Sequence, residues 1–415
     1  MARVLLISSN FPPVTGGSAV VYENLCRSAN GAIAGLAASH DYATGRPLAG
    51  TEEHDRRAGY PLHRMKFLRP PQAPAGGRLG ARLADLLLMA KVLARTVAVA
   101  RKEGADIICI GDLVYGGWLV FPLRYLFGYK ILLYVHGEEI TTRDGGGLFD
   151  RWRAKFLAHA HAVIAVSSFT RDAMIRLMRT DPGKITLIPN GVDIQKFQVR
   201  DPRPELAERY GVRGRRVILS VGRLVPRKGA DHLIQAMPAI LRACPDAHLL
   251  IAGEGPLRKS LETLIEQRKL GAQVSLLGEV TDQALADLYA QADLFALPNR
   301  EMPDGDTEGF GLVFLEANAC GKPVVSGRAG GVVDAVIDGV NGLAVDGGDV
   351  DAIAAAVTRL LEDKQLYRKL AAGGLDAARR GDWRSRSAEF LALCDRVRGA
   401  GTPAGQRNST VAHTP

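Results

Sequence analysis

The chain is poor in cysteine and shows no sign of paired thiols. Its five cysteines, Cys26, Cys109, Cys244, Cys320 and Cys394, are scattered, form no CxxC pair and leave an odd one over. A disulfide framework and a cysteine zinc site are therefore not expected, and a reducing, cytoplasmic setting is. No apolar run approaches the length of a membrane span. The opening MARVLLISS is too short for a secretory leader and has no small-residue cleavage site, so it reads as a first strand. Basic strands interleaved with aromatics are missing as well, and no nucleic-acid partner is expected.

What is present is ordinary globular composition, 47% hydrophobic and 23% charged, in a chain of 415 residues. That length exceeds what a single core usually holds, so two domains are expected. Charge is uneven: residues 1–193 hold 24 Lys and Arg against 16 Asp and Glu, while the remainder is nearly balanced. The basic excess fits either an anionic cytoplasmic leaflet or a phosphate-bearing acceptor.

Short apolar runs alternate with helical segments, the pattern of an α/β protein with parallel sheets and crossover helices. In the first half the expected strands are Val4–Ser8, Ile107–Ile110, Ile131–Val135 and Ala162–Val166, with helices over Ser18–Asn30, Arg78–Arg101 and Ser168–Arg179. Residues Thr44–Gly77 should be loops and short strands that recognise an acceptor. In the second half the expected strands are Val217–Val221, His248–Ala252, Val274–Leu277, Leu294–Leu297 and Pro323–Ser326, with helices over Ala230–Ala243 and Asp282–Gln291.

The stretch EGFGLVFLE sets Glu308 and Glu316 with seven residues between them, among them Gly309, Phe310, Gly311 and Leu312, ahead of a short helical pattern. A glycine-rich loop entering a helix offers free N–H groups and a positive dipole end to a diphosphate. The flanking carboxylates could then accept hydrogen bonds from a hexose and a ribose; the plain alternative is a helix cap with an exposed acid. About eighty residues upstream, VGRLVPRKG carries Arg223 and Lys228 in the loop after an apolar strand, where open α/β sheets bind ligands. A fork and a point charge there suit a departing diphosphate.

These motifs, with FPPVTGG, YVHGEE, AVSSFT, IPNGVD, IAGEGP, LGEV and the continuation ANACGKPVV, run in order almost end to end. In them the chain resembles the family-4 retaining glycosyltransferases of GT-B architecture, especially bacterial hexosyl and mannosyl transferases. The resemblance implies two doubly wound, Rossmann-like domains with a cleft between them. An acceptor-side domain would cover residues 1–188, completed by a helix over 384–398; a nucleotide-sugar domain would cover 189–383, and a disordered tail 399–415. It implies that Arg223 and Lys228 hold the diphosphate, Glu308 the hexose and Glu316 the ribose. His136 would sit near the hexose, Gly16 and Gly17 would let backbone approach the phosphates, Gly253 would turn the chain beside the base or ribose, and Val280 would touch the base through its backbone. The expected activity is metal-independent hexosyl transfer, with retention, from GDP-mannose or a UDP-hexose to a hydroxyl of a glycan, lipid or small molecule. No cofactor is expected.

Several readings compete with parts of this. A lone His at a strand end is often structural, and for Glu138, Glu139 and Asp112 solvated loop acids are the simpler account. Asp304-Gly305-Asp306 spells the DxD that other transferases use for a metal, but the spelling recurs at Asp349-Val350-Asp351, and cations are already at hand. A sugar-nucleotide epimerase or phosphorolytic enzyme of the same fold is the alternative, although the extra first-domain acids and histidines of the epimerases cannot be placed here. A non-catalytic nucleotide-sugar-binding protein would be expected to have lost Glu308 or the two cations. Finally, Arg78, Arg82, Asp85, Lys91, Arg95 and Lys102 share one side of a helix whose other side includes Leu86, Leu87 and Val97. Such a helix packs on its sheet or lies on an anionic membrane.

Overall fold

The computed structural model describes residues 2–71, 78–141 and 148–399. Two parallel sheets organise it. The first holds β1 (Val4–Ser8), β2 (Ile33–Ala38), β3 (Leu62–Met65), β4 (Ile107–Ile110), β5 (Lys130–Val135), β6 (Ala162–Ala165) and β7 (Ile185–Leu187) in the order β3-β2-β1-β4-β5-β6-β7. The second holds β8 (Arg216–Val221), β9 (Ala247–Ala252), β10 (Val274–Gly278), β11 (Leu294–Leu297), β12 (Val324–Gly327) and β13 (Gly342–Val345) in the order β10-β9-β8-β11-β12-β13. In each sheet the first strand lies centrally and the order reverses beside it, between β1 and β4 and between β8 and β11. Loops leaving the carboxyl ends there frame a ligand crevice.

The central strands are buried on both faces, which is why they read as unbroken apolar runs. β2 and β13 escape a sequence reading because they are built from small residues, IAGLAA and GLAV. β3 and β7 are short edge strands, only partly buried. The segment expected to be loops and short strands also contains the polar helix Thr51–Arg57, which buries no residue. Of the expected tail, 399–415, Gly399 instead ends the last helix, and residues 400–415 lie outside the described residues.

The chain passes from the first sheet to the second after β7 and returns at Asp382, and the two crossings are stitched together. Val192 donates its N–H to the Gly381 carbonyl at 2.8 Å, and Trp383 donates to the Val192 carbonyl at 3.3 Å. The last helix, Trp383–Gly399, then packs on the first helix, Gly17–Ser28, burying Phe390 and Cys394 and donating from Ser387 Oγ to the Leu25 carbonyl. Ala2 N–H reaches Asp395 at 2.7 Å.

The helix Arg78–Glu103 departs from the amphipathic expectation. Val97 is buried as expected, but Leu86 and Leu87 are 61% and 55% exposed, and Leu83 is 60% exposed. The cause is length: 26 residues extend ~39 Å, about twice the reach of the strands beneath. Its second half packs through Val92, Thr96, Val97, Val99 and Ala100, while the first half overhangs the carboxyl rim of the sheet. Lys91 and Arg95 are exposed on the same helix; the side chains of Arg78 and Arg82 lie outside the described ones.

Among the described residues no helix is long and apolar enough to cross a membrane. All five cysteines are free and buried.

Candidate active site

β8 ends at Val221, and the chain turns through Gly222, Arg223 and the short Pro226–Lys228 turn before the helix Ala230–Ala243. Arg223 is exposed on this turn. Lys228 lies back against Gly222, and its ammonium hydrogen-bonds Glu308 Oε2 from the loop after β11. Both side chains are mostly buried. Burial alone would raise the Glu308 carboxyl, yet the Lys228 charge and hydrogen bond, then Arg227 and the Phe310 N–H, hold it below its ordinary value. Lys228 and Glu308 therefore meet as a charged pair.

Arg227, which the motif reading passed over, joins them. It pairs with Asp306 at 3.0 Å and feels Glu308 and Glu138 as well. Asp306 is thus taken by a guanidinium, and Asp304 accepts from the Asp306 N–H at 3.0 Å, closing a tight turn. In the second DxD spelling Asp349 caps the helix Val350–Glu362 through the N–H groups of Asp351 and Ala352. Among the described residues no cluster of three metal-ligating side chains occurs.

The helix after the loop is Leu312–Ala319, and Gly311 stands at its N-cap with φ +88°. Phe310 is buried beneath it. Glu316 lies about one turn into this helix, where its carboxylate accepts from Tyr289 OH at 2.9 Å. Gly253 leaves β9 against the Gly222 carbonyl, and Val280 is half-buried in the loop after β10. The second-lobe positions singled out in the sequence thus lie on one rim, where Lys228 and Glu308 touch.

The first lobe supplies the opposite wall. His136 follows β5, with its ring stacked on Tyr134 at 5.3 Å and edge-on to Tyr22. Its Nε2 lies 2.7 Å from Tyr22 OH. Burial drives the Tyr22 phenol far above its ordinary pKa, so it stays protonated and donates to the Gly111 carbonyl. The tyrosine oxygen must then accept from His136 Nε2–H, which assigns the tautomer and leaves Nδ1 as an acceptor. Burial also lowers His136 to about 4, so it is neutral near pH 7.

Two of the acids read as solvated have structural work. Glu138 is exposed, but Glu139 turns inward and accepts the His136 N–H at 2.9 Å. Burial, tempered by that hydrogen bond, raises its carboxyl to about 7. Asp112 caps the helix Leu113–Gly116 and accepts from Ser9 Oγ at the end of β1. Neither Tyr22 nor Glu139 carries a local sequence signal as a partner of His136.

The lobes meet directly across the crevice. An added Cβ on Gly309 would stand 2.1 Å from the His136 carbonyl oxygen, so glycine is required for this approach. A Cβ on Gly17 would reach Leu312 at 3.9 Å, joining the first glycine loop to the helix start. Gly16, with φ +155° and ψ 157°, turns that loop into its helix in a region open mainly to glycine. Further along, Ser168 donates from Oγ to the Asp334 carboxylate at 2.9 and 2.8 Å, and from its N–H to the same group. An acid of one lobe so satisfies the first turn of a helix of the other.

Two family models match this chain. One described as Glycosyltransferase Family 4 matches residues 42–196, and one described as Glycosyl transferases group 1 matches residues 203–375. Among curated relatives, the GDP-mannose-dependent alpha-(1-6)-phosphatidylinositol monomannoside mannosyltransferase of Mycolicibacterium smegmatis is 31% identical over 398 residues, covering 94% of this chain and 97% of that one. The monoacylated-substrate counterpart named from Corynebacterium glutamicum is 39% identical over 249 residues, or 59% of this chain and 64% of that one. Among solved structures, Anabaena Alr3699/HepE in complex with UDP-glucose superposes with a TM-score of 0.74 at 23% identity, covering 95% of this chain and all of that one. Sucrose-phosphate synthase from Thermosynechococcus elongatus gives a TM-score of 0.75 at 23% identity, with 96% and 100% covered. These two likenesses establish the two-lobed GT-B fold.

Proposed function

Because this chain belongs to the family-4 glycosyltransferases and takes a nucleotide sugar, we propose that it moves a hexose, with retention and without a metal, onto a hydroxyl of a lipid-linked acceptor. GDP-mannose is the donor of first choice, since the M. smegmatis relative is named for it; a UDP-hexose is the alternative. The observation that carries the reading is the gathering of Arg223, Arg227, Lys228 and Glu308 where β8 and β11 end, beside the amino end of the helix Leu312–Ala319 and opposite His136.

As the glycosidic bond breaks, negative charge grows on the leaving diphosphate. Arg223, Lys228 and the N–H groups at the start of the helix Leu312–Ala319 face that charge. Lys228 exchanges its bond to Glu308 for a phosphate oxygen, and Glu308 is then released to accept from a hexose hydroxyl. His136, neutral and fixed by Tyr22, offers Nδ1 to another hydroxyl. Glu316 grips the ribose. The acceptor hydroxyl attacks from the face the phosphate leaves, and the phosphate takes its proton. Three cations and a helix dipole supply the positive charge, while Asp306 is held by Arg227; both support a metal-independent reaction.

The overhanging helix supports extending the proposal to peripheral membrane binding. Leu83, Leu86 and Leu87 project near the carboxyl rim of the first sheet, with Lys91 and Arg95 exposed further along the helix. Leucines entering the headgroup region beside cations that attract anionic lipid would hold the crevice at the surface where a lipid-linked acceptor lies.

A melting-temperature panel of nucleotides and nucleotide sugars tests the donor, because a ligand that binds only the folded state raises the midpoint. GDP and GDP-mannose should stabilise most. Stabilisation by none of the guanine or uracil nucleotides would remove the donor site proposed here.

A further inference from the structure

Arg69 is the anomalous cation of the first lobe. It is more than nine-tenths buried, yet its Nε has no hydrogen-bond partner, and no ion pair or hydrogen bond reaches its guanidinium among the described residues. Two aromatic rings hold it instead, Tyr42 at 3.1 Å and Tyr115 at 4.5 Å from the guanidinium carbon to the ring centres. Other buried arginines nearby are treated differently. Arg64 is bonded by Asp55 and the carbonyls of Ala38 and Pro12, and Arg153, whose Nε is also unpartnered, is still held at its two terminal nitrogens by the Glu139 carbonyl and the Asp150 carboxylate. Asp41, the acid close enough to feel Arg69, is committed to the N–H and hydroxyl of Thr44. A buried guanidinium left without an anion is costly, and stacking fixes its plane while leaving its N–H edge to a ligand.

The location gives this edge a purpose. Tyr42 follows β2, Arg69 follows β3 and Tyr115 follows β4, so the clamp stands on the carboxyl rim of the first sheet, across its switch point. β4 and β5 are neighbours, about 4.8 Å apart, which puts Tyr115 and His136 on segments that leave adjacent strand ends. That adjacency lets a hydroxylated group lie between a phosphate at Arg69 and an attacking oxygen at the donor. The basic excess of residues 1–193 agrees in sign.

We propose that Arg69, clamped between Tyr42 and Tyr115, binds a phosphate ester carried by the acceptor, so that the acceptor is a hydroxylated group bearing a phosphate. The proposal rests on the glycosyl-transfer reading for what the phosphate is attached to, but not for its being bound. Planar, bidentate pairing with phosphate is what a preoriented guanidinium does best.

Calorimetric titration of the full chain with glycerol 3-phosphate, with glycerol as the uncharged control, tests this. Sedimentation with phosphatidylcholine vesicles, with and without phosphatidylinositol, forms a second arm. GDP and UDP are titrated in parallel. Arg69→Gln should weaken glycerol 3-phosphate at least tenfold and leave the nucleotides unchanged, whereas Arg223→Ala should do the reverse. Arg69→Lys should fall between, because charge without a stacking plane is retained. Response to glycerol 3-phosphate alone identifies a soluble phosphoester, and an Arg69-dependent response to phosphatidylinositol identifies a lipid headgroup; either supports the subsite. Should Arg69→Gln disturb folding, Tyr115→Leu, at a ring 44% exposed, loosens the clamp and should weaken the same ligands. Equal binding by wild type, Arg69→Gln and Tyr115→Leu in both arms overturns the proposal. Failure of both nucleotides with intact glycerol 3-phosphate binding would instead remove the donor reading and leave Arg69 standing.

Discussion

The close approach of Gly309 to the His136 carbonyl is an economical place to perturb the two lobes. A methyl group on Gly309 would lie 2.1 Å from the His136 carbonyl oxygen, whereas carbon and oxygen ordinarily approach no closer than about 3.3 Å. The lobes in Gly309→Ala must therefore separate by ~1 Å at this point, or the loop bearing Glu308 must shift by as much. Misplacing reacting groups by that distance costs on the order of a hundredfold in rate, or about 2.7 kcal/mol of transition-state stabilisation. The damage lies between lobes, so the melting temperature should change little, and the loss should fall on kcat once donor is saturating. Gly271→Ala is the control, since a Cβ there meets nothing within 4 Å. The assay is transfer from the nucleotide sugar identified by the melting panel, with kcat and KM measured separately. Wild-type kcat in Gly309→Ala would refute the idea that this approach sets the reacting geometry.

Other outcomes follow from the same geometry. Arg223→Ala and Lys228→Ala should each lower turnover about a hundredfold or more while the chain stays folded, by loss of one group facing a developing anion; near-normal transfer by both would remove the diphosphate clamp. Glu139, raised to about 7, keeps its proton in the folded chain, so its share of stability falls as pH rises from about 4.5 to 7. His136, lowered to about 4, is neutral when folded, so its share rises as pH climbs from about 4 to 6.5, and the two slopes nearly cancel. Glu139→Gln should expose the rising slope, improving relative stability at pH 7 over pH 5 by up to about 3 kcal/mol in denaturant titrations; a profile parallel to wild type would refute the pairing. Replacing Leu83, Leu86 and Leu87 together by serine should cut flotation with anionic vesicles at least tenfold without touching nucleotide binding, and unchanged flotation would move the membrane contact elsewhere.

The parts of the fold legible in the sequence are those where one local rule governs. Strands such as VILSV and LFAL announce themselves because both faces are buried, and the helix Ala230–Ala243 because its apolar residues recur with the helical period. β2 does not, because its alanines and glycine carry no hydrophobic weight; what makes it a strand is its place between β1 and β3. Periodicity placed Leu86 and Leu87 on the apolar side of a helix that packs on its sheet or lies on a membrane, and could not choose between them, since a period cannot reveal that the sheet ends beneath a longer helix. Around the crevice, the glycine spacing and the Lys228 and Glu308 positions could be read because motif and contact coincide. Tyr22, Glu139 and the Ser168–Asp334 contact could not, for each gains its meaning from a partner on another element.

The stitched crossings at Val192 and Gly381–Trp383 also govern how the molecule can move. A single tether would let one half swivel freely over the other, but two peptide segments bonded side by side resist torsion and favour bending about one axis, as a door leaf turns on two knuckles. Opening should then follow a nearly planar arc that lifts His136 from Gly309 and returns it to the same register, so alignment is restored at each turnover by the backbone itself.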